Sequence, residues 1–82
     1  MEEFKKELIT SYEEHVIDCM NESGKLKIEE YIESFICWVD FNLRTNGEDM
    51  DNMENLFNTT DISEITEEIK KILYEYEKIN LQ

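Results

Sequence analysis

Apart from its carboxylates, this 82-residue chain carries few residues able to do chemistry. The one histidine, His15, stands four positions before Cys19. On a helix that spacing brings the pair together, and an imidazole beside a thiol can activate a thiolate. The surroundings are acidic, however, and negative charge raises a thiol's pKa. His15 therefore reads as a residue at the edge of a helix's apolar stripe, and no catalytic residue is assigned. Cys19 and Cys37 do not form a metal-site spacing. A small secreted chain would carry more cysteines as staples, so both read as reduced thiols among apolar core residues of a cytoplasmic protein.

Carboxylates are abundant, which is itself the difficulty for catalysis. General acid–base work needs two of them held in a pocket with their pKa values pushed apart. Here they fall mostly on the polar faces of helices. Asp49, Asp51 and Glu54 could offer oxygens to a divalent cation, but calcium-loop spacing is not met. With Asp40 and Asn42 at the first and third loop positions, Thr45 falls where glycine is required and Asp51 takes the final position. No glycine-rich phosphate loop and no basic patch are visible. Ser63 lies in Ile-Ser-Glu rather than the Asp-Ser-Leu of a pantetheine-bearing carrier. The expectation is a protein that is not an enzyme, with no metal and no cofactor.

What stands out is the arrangement of the acids. There are 21 Asp and Glu against 8 Lys and Arg, a net charge of -13. That exceeds the magnitude of roughly 2–8 that keeps a small domain soluble. A charge of this sign opposes direct binding to nucleic acid or anionic lipid. Glu3, Glu7, Glu14 and Asp18 are spaced along the first helix, expected on the side opposite Phe4, Leu8 and Val16. Glu29, Glu33 and Asp40 make a similar row on the second, partly neutralised by Arg44. No Lys or Arg occurs between residues 45 and 69, a stretch that includes Glu48, Asp49, Asp51 and Glu54. Rows of unpaired carboxylates on rigid helices resemble a phosphate backbone, and a groove built to neutralise nucleic acid would attract them.

The elements that must carry these rows are helical. Phe4, Leu8, Tyr12, Val16 and Met20, widened by Ile9 and Cys19, predict a helix from about Glu2 to Glu22 with Gly24 as a left-handed cap. A second helix opens at Leu26 or Ile28 and runs to about Thr45, with Ile28, Ile32, Phe35, Val39 and Leu43 as its main face. Tyr31, Ile36, Cys37, Trp38 and Phe41 spread apolar surface around it, which places it at the centre or leaves Tyr31 and Trp38 as a homodimer face. Asn46-Gly47 ends it, both residues tolerating positive φ. Residues 48–58 predict a short third helix through Met50, Met53, Leu56 and Phe57. Asp61 is the expected N-cap of the fourth, with Glu64 as capping-box partner. That helix carries Ile62, Ile65, Ile69, Ile72, Leu73, Tyr76 and Ile79 on one face, and Glu67, Lys71 and Glu75 can pair along another.

Nothing marks a linker, a repeat, a signal peptide or a membrane span. The expected architecture is all-α: residues 1–82 form a single acidic domain, a compact antiparallel bundle of three long helices and one short helix. Charge repulsion should leave it marginally stable at low salt.

Ala and Pro are absent while Ile occurs 10 times and Asn and Lys 7 times each, a bias of AT-rich coding. Short length, strong acidity, compactness and the lack of an enzyme motif together resemble the small inhibitors that phages and mobile elements carry against host nucleases, including anti-CRISPR proteins and other DNA mimics. The resemblance covers the whole chain in character and rests on no shared motif. It implies a stoichiometric inhibitor acting in the cytoplasm of a low-GC bacterial host. The partner would be a basic nucleic-acid-binding protein, a nuclease or CRISPR effector, whose channel the acidic faces occupy. Alternatives are an immunity protein that neutralises a basic nuclease toxin, and a regulatory or scaffold module that binds a partner helix through Tyr31, Phe35 and Trp38.

Overall fold

The computed structural model describes residues 2–80, with side chains through Lys78. Four helices follow one another: α1 (Glu2–Ser23), α2 (Ile28–Thr45), α3 (Gly47–Phe57) and α4 (Ile62–Asn80). Among the described residues there is no strand, and the chain is an all-α bundle. No described helix is long and apolar enough to cross a membrane.

Each boundary has a local cause. Glu2 and Glu3 open α1 where the helix dipole favours acids. Gly24 ends it at φ +78, its N–H donating to the Met20 carbonyl at 3.0 Å. A Cβ there would meet nothing, so the backbone angle alone calls for glycine. The turn that follows is pinned from inside, because the Leu26 N–H donates to the buried Tyr31 hydroxyl at 2.8 Å. Glu30 accepts from the Lys27 N–H at the start of α2.

Asn46 differs from expectation. It is extended, with φ -124 and ψ 103, and serves two helices at once. Its N–H donates to Asn42 O at the end of α2, while its Oδ1 accepts from Glu48 N and Asp49 N at the start of α3. N-capping needs an extended backbone, so this second role excludes the left-handed turn. The left-handed residue is Asn58, at φ 56, which ends α3. At α4, Asp61 Oδ1 accepts from Ser63 N at 2.9 Å, as an N-cap does. The expected return contact from Glu64 is taken by Thr59, whose hydroxyl donates to Glu64 and accepts from Asp61 N.

α2 touches all three other helices and lies at the centre, as expected. Tyr12 packs edge-on against Phe35, and His15 meets Ser34 one turn further along α1, so α1 and α2 run antiparallel. The core is Leu8 and Tyr12 from α1, Tyr31, Ile32, Phe35 and Leu43 from α2, and Ile65, Ile69 and Leu73 from α4. α3 buries no residue fully; Met50, Met53 and Phe57 pack at the margin, with Phe57 edge-on to Phe4 at 5.5 Å. The expected packing of Ile79 lies outside the described side chains.

The wrap of apolar surface around α2 is not matched by burial. Tyr31 is buried and cannot form a dimer face, whereas Trp38 is 51% and Phe41 65% exposed. Cys37 is exposed and Cys19 half-buried, so the expectation of two core thiols fails for Cys37. Met20, expected on the α1 stripe, is exposed. The three helices packed on α2 cover only part of its surface, and Cys37, Trp38 and Phe41 fall on what remains.

Candidate partner-binding surface

The acidic rows meet different fates. On α1, Glu3, Glu7, Glu14 and Asp18 are all exposed. Each residue turns a helix by about 100°, so a carboxylate next in sequence to a core residue lies on the flank of the stripe. Glu7 accordingly lines one groove with Phe4 and Leu8, and that groove also takes in Trp38 and Asp49. Glu14 and Asp18 line a second groove with His15 and, again, Trp38.

The α2 row does not exist as a row of unpaired charge. Glu33 meets Lys70 Nζ of α4 at 2.6 Å, and Asp40 holds Arg44 Nε at 2.5 Å, as the spacing suggested. Both cations are held above their ordinary pKa by the hydrogen bond to their carboxylate. Glu29 lies in a groove that also carries five lysines and three other glutamates. On α3, Glu48, Asp49 and Asp51 are exposed and Glu54 is half-buried. On α4, Lys71 pairs with Glu68 at 3.3 Å, in place of the expected Glu67 and Glu75.

The structure therefore brings four of the sequence-derived acids, Glu7, Glu14, Asp18 and Asp49, around one aromatic residue. None of the four takes part in an ion pair among the described residues. Trp38 is stacked on Phe35 with ring centroids 5.7 Å apart and planes at 27°. His15 closes the cluster, 5.6 Å from Phe35 and 6.3 Å from Trp38. A tryptophan half open to water, backed by a buried ring and rimmed by carboxylates, has the make-up of a protein-binding anchor.

His15 and Cys19 are not hydrogen-bonded to each other. Both side chains turn to Ser34, whose Oγ lies 2.9 Å from His15 Nε2 and 3.9 Å from Cys19 Sγ. A serine–imidazole contact resembles the nucleophile–base step of a hydrolase. No carboxylate is hydrogen-bonded to His15 among the described residues to complete a triad. Nor does any group of three or more His, Cys, Asp or Glu side chains come together to hold a metal ion there.

A basic patch, not visible along the chain, is assembled by the fold. Lys25 and Lys27 from the α1–α2 turn meet Lys70, Lys71 and Lys78 of α4 around an open groove of about 1110 Å³. Its apolar floor includes Leu26, Ile28 and Tyr74. These five lysines face four glutamates, which leaves 17 acids and three cations for the rest of the molecule. The groove shares no lining residue with the two around Trp38, so the charge is divided between separate surfaces.

An exposed Trp38 was one of the alternatives the sequence offered, and its absence and that of Phe41 from the 28/32/35/39/43 face agree with their exposure. The Glu33–Lys70 pair joins residues 37 apart and left no local signal. Compared with known proteins, the chain matches no family model, no curated protein and no solved structure.

Proposed function

We propose that this protein is a stoichiometric inhibitor that binds a basic nucleic-acid-binding protein, a nuclease or CRISPR effector, and keeps nucleic acid out of its channel. The observation that carries the reading is the grouping of Glu7, Glu14, Asp18 and Asp49, from α1 and α3, around the exposed Trp38. Uncompensated carboxylates on rigid helices supply the long-range attraction that speeds encounter with a cationic channel. The indole supplies the desolvated anchor that acidity alone lacks, since hot spots are enriched in Trp. Relative to the sequence reading, the mimic narrows to the α1 and α3 acids, because Glu33 and Asp40 are already paired.

The scaffold-module alternative keeps only Trp38 of its three aromatics, as Tyr31 and Phe35 are buried. The cytoplasm of a low-GC bacterium is the setting in which such a partner would be met.

The test is capture by the tagged protein from lysate of a low-GC bacterium carrying CRISPR and restriction systems, followed by titration of the purified effector. Support is a one-to-one loss of nucleic-acid cleavage that competitor DNA or salt reverses. Glu7→Lys with Asp49→Lys should weaken inhibition, while Glu75→Lys in the lysine-lined groove should not. Inhibition indifferent to the paired reversal at low salt would overturn the phosphate-mimic mechanism.

A further inference from the structure

Trp38 offers more than apolar area. Phe35 stacks against the indole from within, and half of the residue's surface remains open. The two grooves it lines are small, about 250 and 180 Å³. Small-molecule sites run from roughly 300 to 1,000 Å³, so these fit single side chains better than a separate ligand. One groove carries Glu7 and Asp49, the other Glu14 and Asp18. A side chain suited to both the ring and its rim must be cationic, flat enough to lie on an indole, and able to donate to carboxylates at its edge.

We propose that the Trp38 surface receives an arginine side chain of the protein partner, its guanidinium stacked on the indole and its edge N–H groups donating to the flanking carboxylates. This deepens the function proposed above and rests on its reading of a basic partner. Tryptophan is the strongest cation–π acceptor among side chains, and guanidinium both stacks on aromatic faces and pairs bidentately with carboxylates. A lysine ammonium is more strongly hydrated and cannot stack. The carboxylates come from two helices and flank the ring through separate grooves, so they restrict where the cation can lie. An arginine placed here would normally contact a phosphate in its own protein's nucleic-acid channel, and occupying it removes that contact.

The chain has one tryptophan, so its fluorescence reports on the site directly. The probes are three otherwise identical short peptides bearing arginine, lysine or neutral citrulline, titrated at low salt. The arginine peptide should change Trp38 emission and bind roughly two- to fivefold tighter than the lysine peptide, the span of an exposed cation–π contact. The citrulline peptide should bind more weakly than either. Calorimetry on Trp38→Leu should show the arginine preference abolished with helicity intact, and Trp38→Phe should retain part of it.

Equal binding of the arginine and lysine peptides would overturn the inference while leaving a basic partner in place. Citrulline binding as well as arginine would overturn it in favour of an apolar anchor. Failure of the arginine peptide to bind would also overturn it, and the acid reversals described above decide the wider reading independently.

Discussion

The indole of Trp38 lies on the ring of Phe35, 5.7 Å between centroids and 27° between planes, so a side chain that is 51% exposed is held by one that is 1% exposed. The buried ring belongs to the core that α1, α2 and α4 build together. The orientation of the exposed ring is therefore set by the same packing that holds the bundle.

The two rings should respond oppositely to truncation. Phe35→Ala removes a core side chain at a cost of about 3–5 kcal/mol, which a domain of this size barely survives. Trp38→Ala should change unfolding stability by about 1 kcal/mol or less, because half its surface is already in water. The same substitution should weaken partner binding at least about tenfold, as loss of an anchor does. Urea unfolding and a binding titration on both variants check the split.

Salt should act in opposite directions on folding and on binding. The net charge of -13 repels itself within the fold, and screening relieves that. The melting temperature should rise with added sodium chloride, by about 4–8 °C for each kcal/mol relieved. Affinity for the cationic partner should fall over the same range. Calorimetric melts and binding titrations in matched buffers test both. A partner affinity insensitive to salt would point to an apolar interface.

Asn46 links a helix cap to the candidate surface. Its Oδ1 holds the first turn of α3, which carries Asp49 into the Trp38 groove. Asn46→Ala should cost about 1 kcal/mol. Since α3 buries no residue fully, the loss should appear first as faster amide exchange in residues 47–57. Asn46→Asp, which keeps the capping oxygen, should restore the protection.

Tyr12 makes alkaline stability specific. The residue is 1% exposed and its hydroxyl has no partner of good geometry. Burial, and then the nearby Glu77 carboxylate, push the phenol well above its ordinary pKa near 10. The folded state thus favours the neutral phenol. That contribution is complete below the unfolded pKa and is lost as pH rises from about 10 toward the folded value. Tyr12→Phe should lie within about 1 kcal/mol of the parent near neutral pH, since it removes an unpaired buried hydroxyl. Above pH about 10 the variant should become the more stable of the two. Urea midpoints measured across the alkaline range show whether the curves cross.

The helices were legible because their signals are local. The 4/8/12/16 and 62/65/69/73 spacings, the glycine after Ser23 and the aspartate before Ile62 each act within a turn or two of chain. Capping and amphipathic period depend on neighbours in sequence, so one strand of text contains them. The boundaries of α1 and α2 and the start of α4 consequently fall within a residue or two of expectation. Asn46 was misassigned because Asn suits both a left-handed end and an extended N-cap, and only the immediate start of α3 selects the second.

Charge composition is likewise a property of the sequence alone, and a net charge of -13 opposes direct binding to nucleic acid. Which charges remain uncompensated was decided by tertiary structure. Glu33 and Lys70 are remote in sequence and joined by the packing of α4 on α2, while Lys25 of the α1–α2 turn and Lys78 of α4 reach one groove. Trp38 and Tyr31 are seven residues apart, two turns of one helix, and equally apolar in the sequence reading. Residues seven apart share nearly one face of a helix, so the difference lies along the axis: the α1–α2 turn closes over Tyr31, whose hydroxyl accepts from Leu26 N, whereas Trp38, two turns on, is left half open. Periodicity orients residues within a helix; only the partners across the interface decide where along its length a face meets water.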